Sequence, residues 1–575
     1  MLTRFQLLLA SVLALLLVQS IAFAEDGAHG GEQAADANAN VNQPGEAVKA
    51  PRTTERYTET GITVDPVAID VAPNGDIYVA EGSRAGGSVI DNRNAGLRKS
   101  NGVINDLQKT SVEDRLKQIN MLIEGGFYPE DTFTKSADRV RLVRDKDGDG
   151  KADTSSIFAD NFNDPLDGIA SGVLYHNGKV YLTNIPHVWL LQDKDGDGDA
   201  DKTTEGERES LSYGWGIRWA FYGHDMHGLI KGPDGRIYFS IGDRGYNVTT
   251  KEGKQLYGPD RGAVFRMWPD GTGLELYFEG LRNPQELAFD NYGNLFTGDN
   301  NSDSGDKARF AYLPEGGDAG WRQDVQSLRD RGPWNREHMW KPRDVEKFGL
   351  DQPAWIISPL KNVGRGPSGL THYPGTGDVF PTNGSFLMCD SPAGVRHVLV
   401  KPDGANFKVV EDSQLPVEGS TITDVTWGYD GRLYLSDWGG GWRPNPNGYI
   451  KVMKNEAAHQ EQAKVIAEVK SLFAEGFEKL SDEKLIELLG HEDQRVRIHA
   501  QWEIAGREEA DPKALTTILN DNQASELSKV HAIWTLSMMA RRVRDFSSEI
   551  VDALDDPNPM VRSQAIAQFG DLGEP

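Results

Sequence analysis

Two histidines and three aspartates share one short stretch, GHDMHGLIKGPDGRIYFSIGDRGYN, at residues 223–247. His224, Asp225 and His227 stand just before a strand, Pro233-Asp234-Gly235 makes a turn, and Asp243 and Arg244 end the returning strand. Counted from the turn, His224 and Asp243 come opposite one another at one mouth of a sheet. An imidazole oriented by a carboxylate is how a protein builds a general base. His227 and Arg244 belong to the same cluster. The HxxH spacing also presents two imidazoles to a transition metal, although a loop-to-strand position suits base chemistry better. The alternative is a set of structural hydrogen bonds.

Two further groups have chemical potential. GLRNPQ at residues 280–285 offers the fixed cationic fork of Arg282 and the neutral amide of Asn283 to a polar ligand; otherwise Arg282 bridges two blades. GDNNSDSGD at 298–306 adds carboxylates and amides suited to a cation or a sugar hydroxyl. Two acidic turns are nearly identical, DKDGDGKAD at 145–153 and DKDGDGDAD at 193–201. Asp145, Asp147, Asp149 and Asp153, and likewise Asp193, Asp195, Asp197 and Asp201, are candidate oxygen ligands for calcium. Neither is an EF-hand, because Ser156 and Thr204 stand where the bidentate glutamate is required. The alternative is a solvated Asp-Gly turn.

The elements that must position these residues repeat. Six segments share an apolar strand, a turn carrying Asn-Gly, Asp-Gly or a related pair, and a second strand rich in aromatic or β-branched residues. They lie at 66–80, 166–183, 223–247, 284–298, 367–390 and 421–437. A single hairpin cannot bury both faces, whereas six four-stranded units arranged radially can, and their loops meet at a central mouth. The expected fold is mainly β plus α: a six-bladed β-propeller over residues 53–455, followed by a short HEAT-like helical solenoid over 456–575. Insertions at 86–134, with a helix near 111–123, and at 323–350 are expected to shape the mouth. In the helical part, HEDQRVRIHAQWEIAG at 491–506 is echoed by DDPNPMVRSQAIAQFG at 555–570, with a middle copy at 524–540. No polar capping helix is evident before Pro575, so either a cap is missing or the native chain continues.

Composition narrows the function. The 575 residues exceed one ordinary domain. Sixty-three glycines and 28 prolines suit a turn-rich β body, and a net charge of -26 argues against nucleic acid as a partner. Cys389 is the sole cysteine, which excludes an internal disulfide, a zinc–cysteine cluster and a CxxCH haem site. Residues 1–24 read as a secretory signal peptide, with Arg4 before an apolar run and Ala22-Phe23-Ala24 at the cut. An uncleaved anchor is the alternative. Residues 25–52 read as a disordered linker, and the mature chain as secreted or periplasmic, without a transmembrane span.

The spacing from His224 through GPDG and IGD to Asp243, then RNPQ at 282–285 and GWR at 320–322, resembles the soluble quinoprotein glucose/sorbosone dehydrogenases. The whole order is similar to membrane-bound dehydrogenases of planctomycetes and verrucomicrobia, which join a signal peptide, this propeller and HEAT-like helices. The resemblance implies a six-bladed propeller holding pyrroloquinoline quinone over its channel, with calcium nearby. It implies His224 as general base, Asp243 as its orienter, and Arg282 and Asn283 at the polar edge of the quinone. His227 and Arg244 are candidate cofactor contacts. The family's basic grip in a later blade is reduced here to Arg396, with Lys361 and Arg365 as possible substitutes. The absence of CxxCH implies that a separate cytochrome or other partner protein, docked on the helices, accepts electrons. The expected activity is oxidation of a sugar or other alcohol. The rival expectations are a non-catalytic, calcium-braced propeller that binds glycan or a partner protein, and a hydrolase or lactonase.

Overall fold

The computed structural model describes residues 46–90, 102–200, 203–219, 221–301, 307–323, 356–419, 421–440, 446–508, 510–543 and 547–573. The expected signal peptide, Asp201, residues 302–306 and nearly all of the 323–350 insertion lie outside them.

Six four-stranded antiparallel sheets form the six blades of a β-propeller. Blade 1 runs Pro66–Val71, Ile77–Glu81, Asp138–Arg144 and Thr154–Phe162 from the channel outward. Blade 2 runs Gly172–His176, Lys179–Asn184, His187–Leu191 and Arg208–Tyr213, and blade 3 Met226–Lys231, Ile237–Ile241, Gly262–Met267 and Glu275–Leu281. Blade 4 runs Pro284–Phe289, Leu295–Asp299, Arg309–Tyr312 and Lys361–Asn362, and blade 5 Pro367–His372, Ser385–Asp390, Gly394–Asp403 and Asn406–Gln414. Blade 6 contains Ile422–Trp427, Leu433–Asp437 and Tyr449–Lys454, and its outermost strand is Thr53–Arg56, from the other end of the propeller. That pairing closes the ring.

Each expected hairpin is the inner pair of strands of one blade. Blade 2 turns on Asn177-Gly178 with φ of 50° and 75°, a two-residue turn between His176 and Lys179. Blade 3 instead uses a longer loop between Lys231 and Ile237, with Gly235 at φ 84°. The second strands are buried along their whole length, as in Ile77–Glu81, Ile237–Ile241, Leu295–Asp299 and Leu433–Asp437. They read as continuous apolar runs because a neighbouring blade covers each face, so burial does not alternate.

Polar side chains staple neighbouring blades around the channel. Asp424 Oδ2 accepts from Ile69 N at 2.7 Å, Asp70 Oδ2 from Tyr175 N at 2.7 Å, and Asp225 Oδ2 from Ile169 N at 2.7 Å. Ser171 Oγ donates to Met226 O at 2.6 Å and Thr423 Oγ1 to Pro66 O at 2.8 Å. These bonds satisfy backbone groups that inner strands cannot pair within their own sheet.

The end of the expected linker is ordered. Glu46–Lys49 is a helix with Val48 buried, and Arg52 Nη2 pairs with Asp378 at 2.8 Å. In the first insertion, Val112–Glu124 is a helix capped by Ser111.

Beyond Asn455 the chain is helical. Asp482–Leu488 packs with Gln494–Gly506, Pro512–Asn520 with Glu526–Val543, and Ser547–Val551 with Pro559–Leu572. The echoed sequences are the second helices of these pairs. In both echoes the arginine after valine reaches back to the preceding turn: Arg497 Nη1 donates to His491 O at 2.6 Å and Arg562 Nη1 to Asp556 O at 2.7 Å. The same helices seat on the propeller. Gln494 Nε2 donates to Asp290 O at 2.7 Å, and Asp571 pairs with Arg236 Nη2 at 2.5 Å. They cover the face that carries the hairpin turns and leave the opposite mouth to the loops around His224. Among the described residues, no helix is long and apolar enough to cross a membrane.

Candidate active site

His224 precedes the first strand of blade 3 and Asp243 follows the second, so the hairpin brings them together. His224 Nδ1 lies 2.7 Å from Asp243 Oδ1, and both side chains are buried. Trp321 Nε1 donates to Asp243 Oδ2 at 3.0 Å, and Asp243 N donates to Arg282 O at 2.7 Å. Burial alone would raise the Asp243 carboxyl; His224, Arg282 and Trp321 together hold it below the usual carboxylate range. The carboxylate therefore stays ionised and fixes the imidazole tautomer, with Nδ1 protonated toward Asp243.

His224 opens on a cavity of about 580 Å³ at the mouth of the channel, shared by all six blades and rimmed by His227, Asn283, Gln285, Asn301, Arg365 and Trp438, among others. Gly223 O gathers three donors there: His227 Nε2 at 2.9 Å, Asn283 Nδ2 at 3.0 Å and Gln285 Nε2 at 3.4 Å. Because His227 uses Nε2 to donate, that nitrogen is not available to a metal. Burial lowers the His227 pKa and keeps the ring neutral.

The other candidates divide between the cavity and its support. Asn283 lines the cavity, held by its backbone N–H to Asp299 Oδ1 at 2.7 Å. Arg282 does not line it. Its guanidinium lies 5.4 Å from the Phe221 ring and 5.6 Å from the Trp321 ring, behind Asp243. Arg244 pairs with Asp225 in a buried ion pair and donates from Nε to Arg218 O at 2.9 Å. Arg396 lies away from the cavity, bonded to Asp412 Oδ1 at 2.6 Å, and Lys361 is 3.4 Å from the same carboxylate. Among the described residues, Arg365 is the guanidinium that reaches the cavity, and its side chain is exposed.

The acidic turns are elsewhere. Both connect third and fourth strands, of blades 1 and 2, and so lie on the helical face, opposite His224. Carboxylate oxygens of Asp145, Asp147 and Asp149 approach within 4.8 Å of one another, as do those of Asp193, Asp195 and Asp197. Asp153 is outside that group, its Oδ2 accepting from Lys146 N at 2.6 Å and Asp147 N at 3.2 Å.

Sequence reasoning did not assign Trp321 its bond to Asp243, because the two are far apart in the chain and no periodicity links them. It also left Trp438 and Tyr222 unassigned at the cavity wall, whereas Asn301, from the 298–306 stretch, does line it. One signal was available. Counted from each turn glycine, five blades place an acid or amide six residues on: Glu81, Asn184, Asp299, Asp390 and Asp437. Blade 3 has Ile241 there, and its acid, Asp243, follows two residues later.

The chain is 32% identical over 124 residues to quinoprotein glucose dehydrogenase B of Acinetobacter calcoaceticus, a match over 17% of this chain and 26% of that protein. It thus spans about a quarter of that relative's length. Among solved structures, the PQQ-bound aldose sugar dehydrogenase of Streptomyces coelicolor aligns over 70% of this chain and 98% of its own, at 16% identity and a TM-score of 0.40. The pyranose dehydrogenase PQQ domain of Coprinopsis cinerea aligns over 71% and 97%, at 12% identity and a TM-score of 0.39. A family model described as a domain of unknown function (DUF7133) matches residues 121–439, more than half of the chain and most of the propeller, and this protein belongs to that family.

Proposed function

We propose that the mouth of the propeller oxidises a sugar or another alcohol, with His224 as general base. The observation that carries this reading is the buried Trp321–Asp243–His224 chain ending at the cavity. A substrate hydroxyl gives its proton to His224 Nε2, and the carbon that bears it loses hydride and becomes a carbonyl. Asp243 stabilises the imidazolium that forms. The cavity suits pyrroloquinoline quinone in size and donor set. Arg365 would hold its carboxylates, and Asn283, Gln285, Asn300 and Asn301 would hold its carbonyls and ring nitrogens. When bound, that cofactor supplies the two-electron acceptor.

Calcium at the acidic turns, on the far face, would brace blades 1 and 2 and take no part in proton transfer. The signal-like N-terminus supports a location outside the cytoplasm.

The test is titration of the purified, calcium-loaded protein with pyrroloquinoline quinone, followed by dye-linked turnover with a panel of sugars. Saturation near one equivalent and turnover that falls about a hundredfold or more in His224→Asn support the reading. Turnover unchanged in His224→Asn overturns the assignment of the base. A second reading, a propeller that binds carbohydrate without oxidising it, is favoured by the engagement of Arg396 and Lys361 with Asp412, which leaves the cavity a single guanidinium among the described residues. Oligosaccharide binding with no quinone binding and no dye reduction would establish it.

A further inference from the structure

The other end of the channel holds a second chamber. It has a volume of about 650 Å³ and lies between the turn-side ends of all six inner strands and the helices Ala463–Glu475 and Gln494–Gly506. Asn177 and Glu478 on its edge are exposed, so the chamber reaches solvent between blade 2 and the helical layer. Much of its wall is apolar, including Ile230, Leu287, Leu370, Phe477 and Ile498.

Among the described residues that line it, Lys231 is an amine with no ion-pair partner. Lys231 Nζ is 2.9 Å from His176 Nε2 and 3.8 Å from the centre of the Trp502 ring. Burial pulls His176 down to about 3, so that ring is neutral. The acids nearby are engaged by other groups or solvated, and Asp70 is already bonded to Tyr175 N at 2.7 Å. Asp234 bonds Arg236 Nε at 2.6 Å, Glu503 bonds Arg507 Nε at 3.0 Å, and Glu478 is in water. Asp70 is pushed up to about 7 by burial, against its bonds to backbone amides. Arg495, the other cation of the lining, pairs with Asp493 at 2.7 Å. Lys179 and His499 add no negative charge; His499 is kept neutral by burial. Burial lowers the Lys231 amine to about 7, opposed by Asp234.

We propose that this chamber is a second ligand site, which takes a small organic carboxylate with its head on Lys231 and its apolar body against the Trp502, Phe477 and Ile498 wall. With one N–H on His176, the ammonium keeps two for the carboxylate oxygens. The carboxylate supplies the missing countercharge, and its body replaces water against an apolar surface. Occupancy takes up a proton above pH 7, because the anion favours the charged amine. The site is independent of the chemistry assigned to the mouth.

Calorimetric titration of the full chain at pH 8 with benzoate as the probe tests this. Benzoate is expected to bind one to one, with proton uptake read from buffers of different ionisation enthalpy. Lys231→Met should weaken it by about thirtyfold and abolish the uptake. This variant removes a desolvated amine and should unfold no more easily than wild type. Ile498→Trp, which fills the chamber without touching Lys231, should also prevent binding, whereas His224→Asn, at the opposite mouth, should bind as wild type. No binding by wild type, equal affinity in Lys231→Met, or loss in His224→Asn would overturn the proposal.

Discussion

In blade 4 the second strand ends at Asp299, paired in register with Pro284; in blade 3 the residue at that register, paired with Met226, is Ile241. Asp299 fixes its own blade. It accepts from the backbone amides of Arg282 at 3.2 Å and Asn283 at 2.7 Å, and from Arg309 Nη2 at 2.6 Å. Glu81, Asp390 and Asp437 do the same work in blades 1, 5 and 6, accepting from Val64 N at 2.8 Å, Arg365 N at 2.6 Å and Thr421 N at 3.2 Å. Asp243 sits two residues farther along, one pleat nearer the mouth. Its carboxylate meets the side chains of His224 and Trp321 instead of backbone amides. A position that is structural in four blades has thus been given up in blade 3, and the acid beyond it holds the His224 side chain at the cavity.

The largest expected effect is on the structural side. Asp299→Ala strands the buried Arg309 charge and two amides, and should lower the unfolding free energy by about 3–5 kcal/mol in denaturant melts. A loss below about 1 kcal/mol would remove the structural half of the contrast. Asp243→Asn should instead leave most of the stability and lower dye-linked turnover about a hundredfold, because the amide no longer fixes the tautomer of His224. Equal turnover would make Asp243 another structural acid.

Smaller effects sharpen the contrast. Trp321→Phe deletes one donor to Asp243 and should cost about 1 kcal/mol, with the Asp243 pKa moving up. The acid limb of stability gives the finest test. A carboxyl held low in the fold contributes stability above its unfolded pKa and loses it as pH falls through its folded pKa. His224 is the foremost of the groups lowering Asp243, so His224→Asn should begin to unfold at a higher pH than wild type in an acid titration followed by tryptophan fluorescence. Coincident curves would show that Arg282 and Trp321 suffice.

The hairpins were legible because turn residues and strand residues are local signals. Asn177-Gly178 and Gly235 sit where backbone geometry asks for positive φ, and apolar runs mark strands covered on both faces. The meeting of His224 with Asp243 was legible for the same reason, since both belong to one hairpin. The helices were legible from apolar spacing and from the echo of 491–506 at 555–570. Other features depend on residues distant in the chain. Nothing near Thr53 announces that it pairs with Lys454 to close blade 6. Arg396 and Arg365 look equally able to grip an anion in sequence, yet Asp412 holds the first and the cavity receives the second. Lys231 reads as an ordinary strand lysine until Trp502 of the helical layer covers it.

The sequence by itself determined the repeating hairpin, the number of blades, the change to helices and the His224–Asp243 pair, because each follows from spacing within a few tens of residues. Only the tertiary structure decided which cations face a cavity, that Trp321 supports Asp243, that the acidic turns lie on the face opposite His224, and that the helices enclose a second chamber. Those outcomes depend on how blades and helices close upon one another, where burial and charge pairing are set by neighbours that local spacing does not specify.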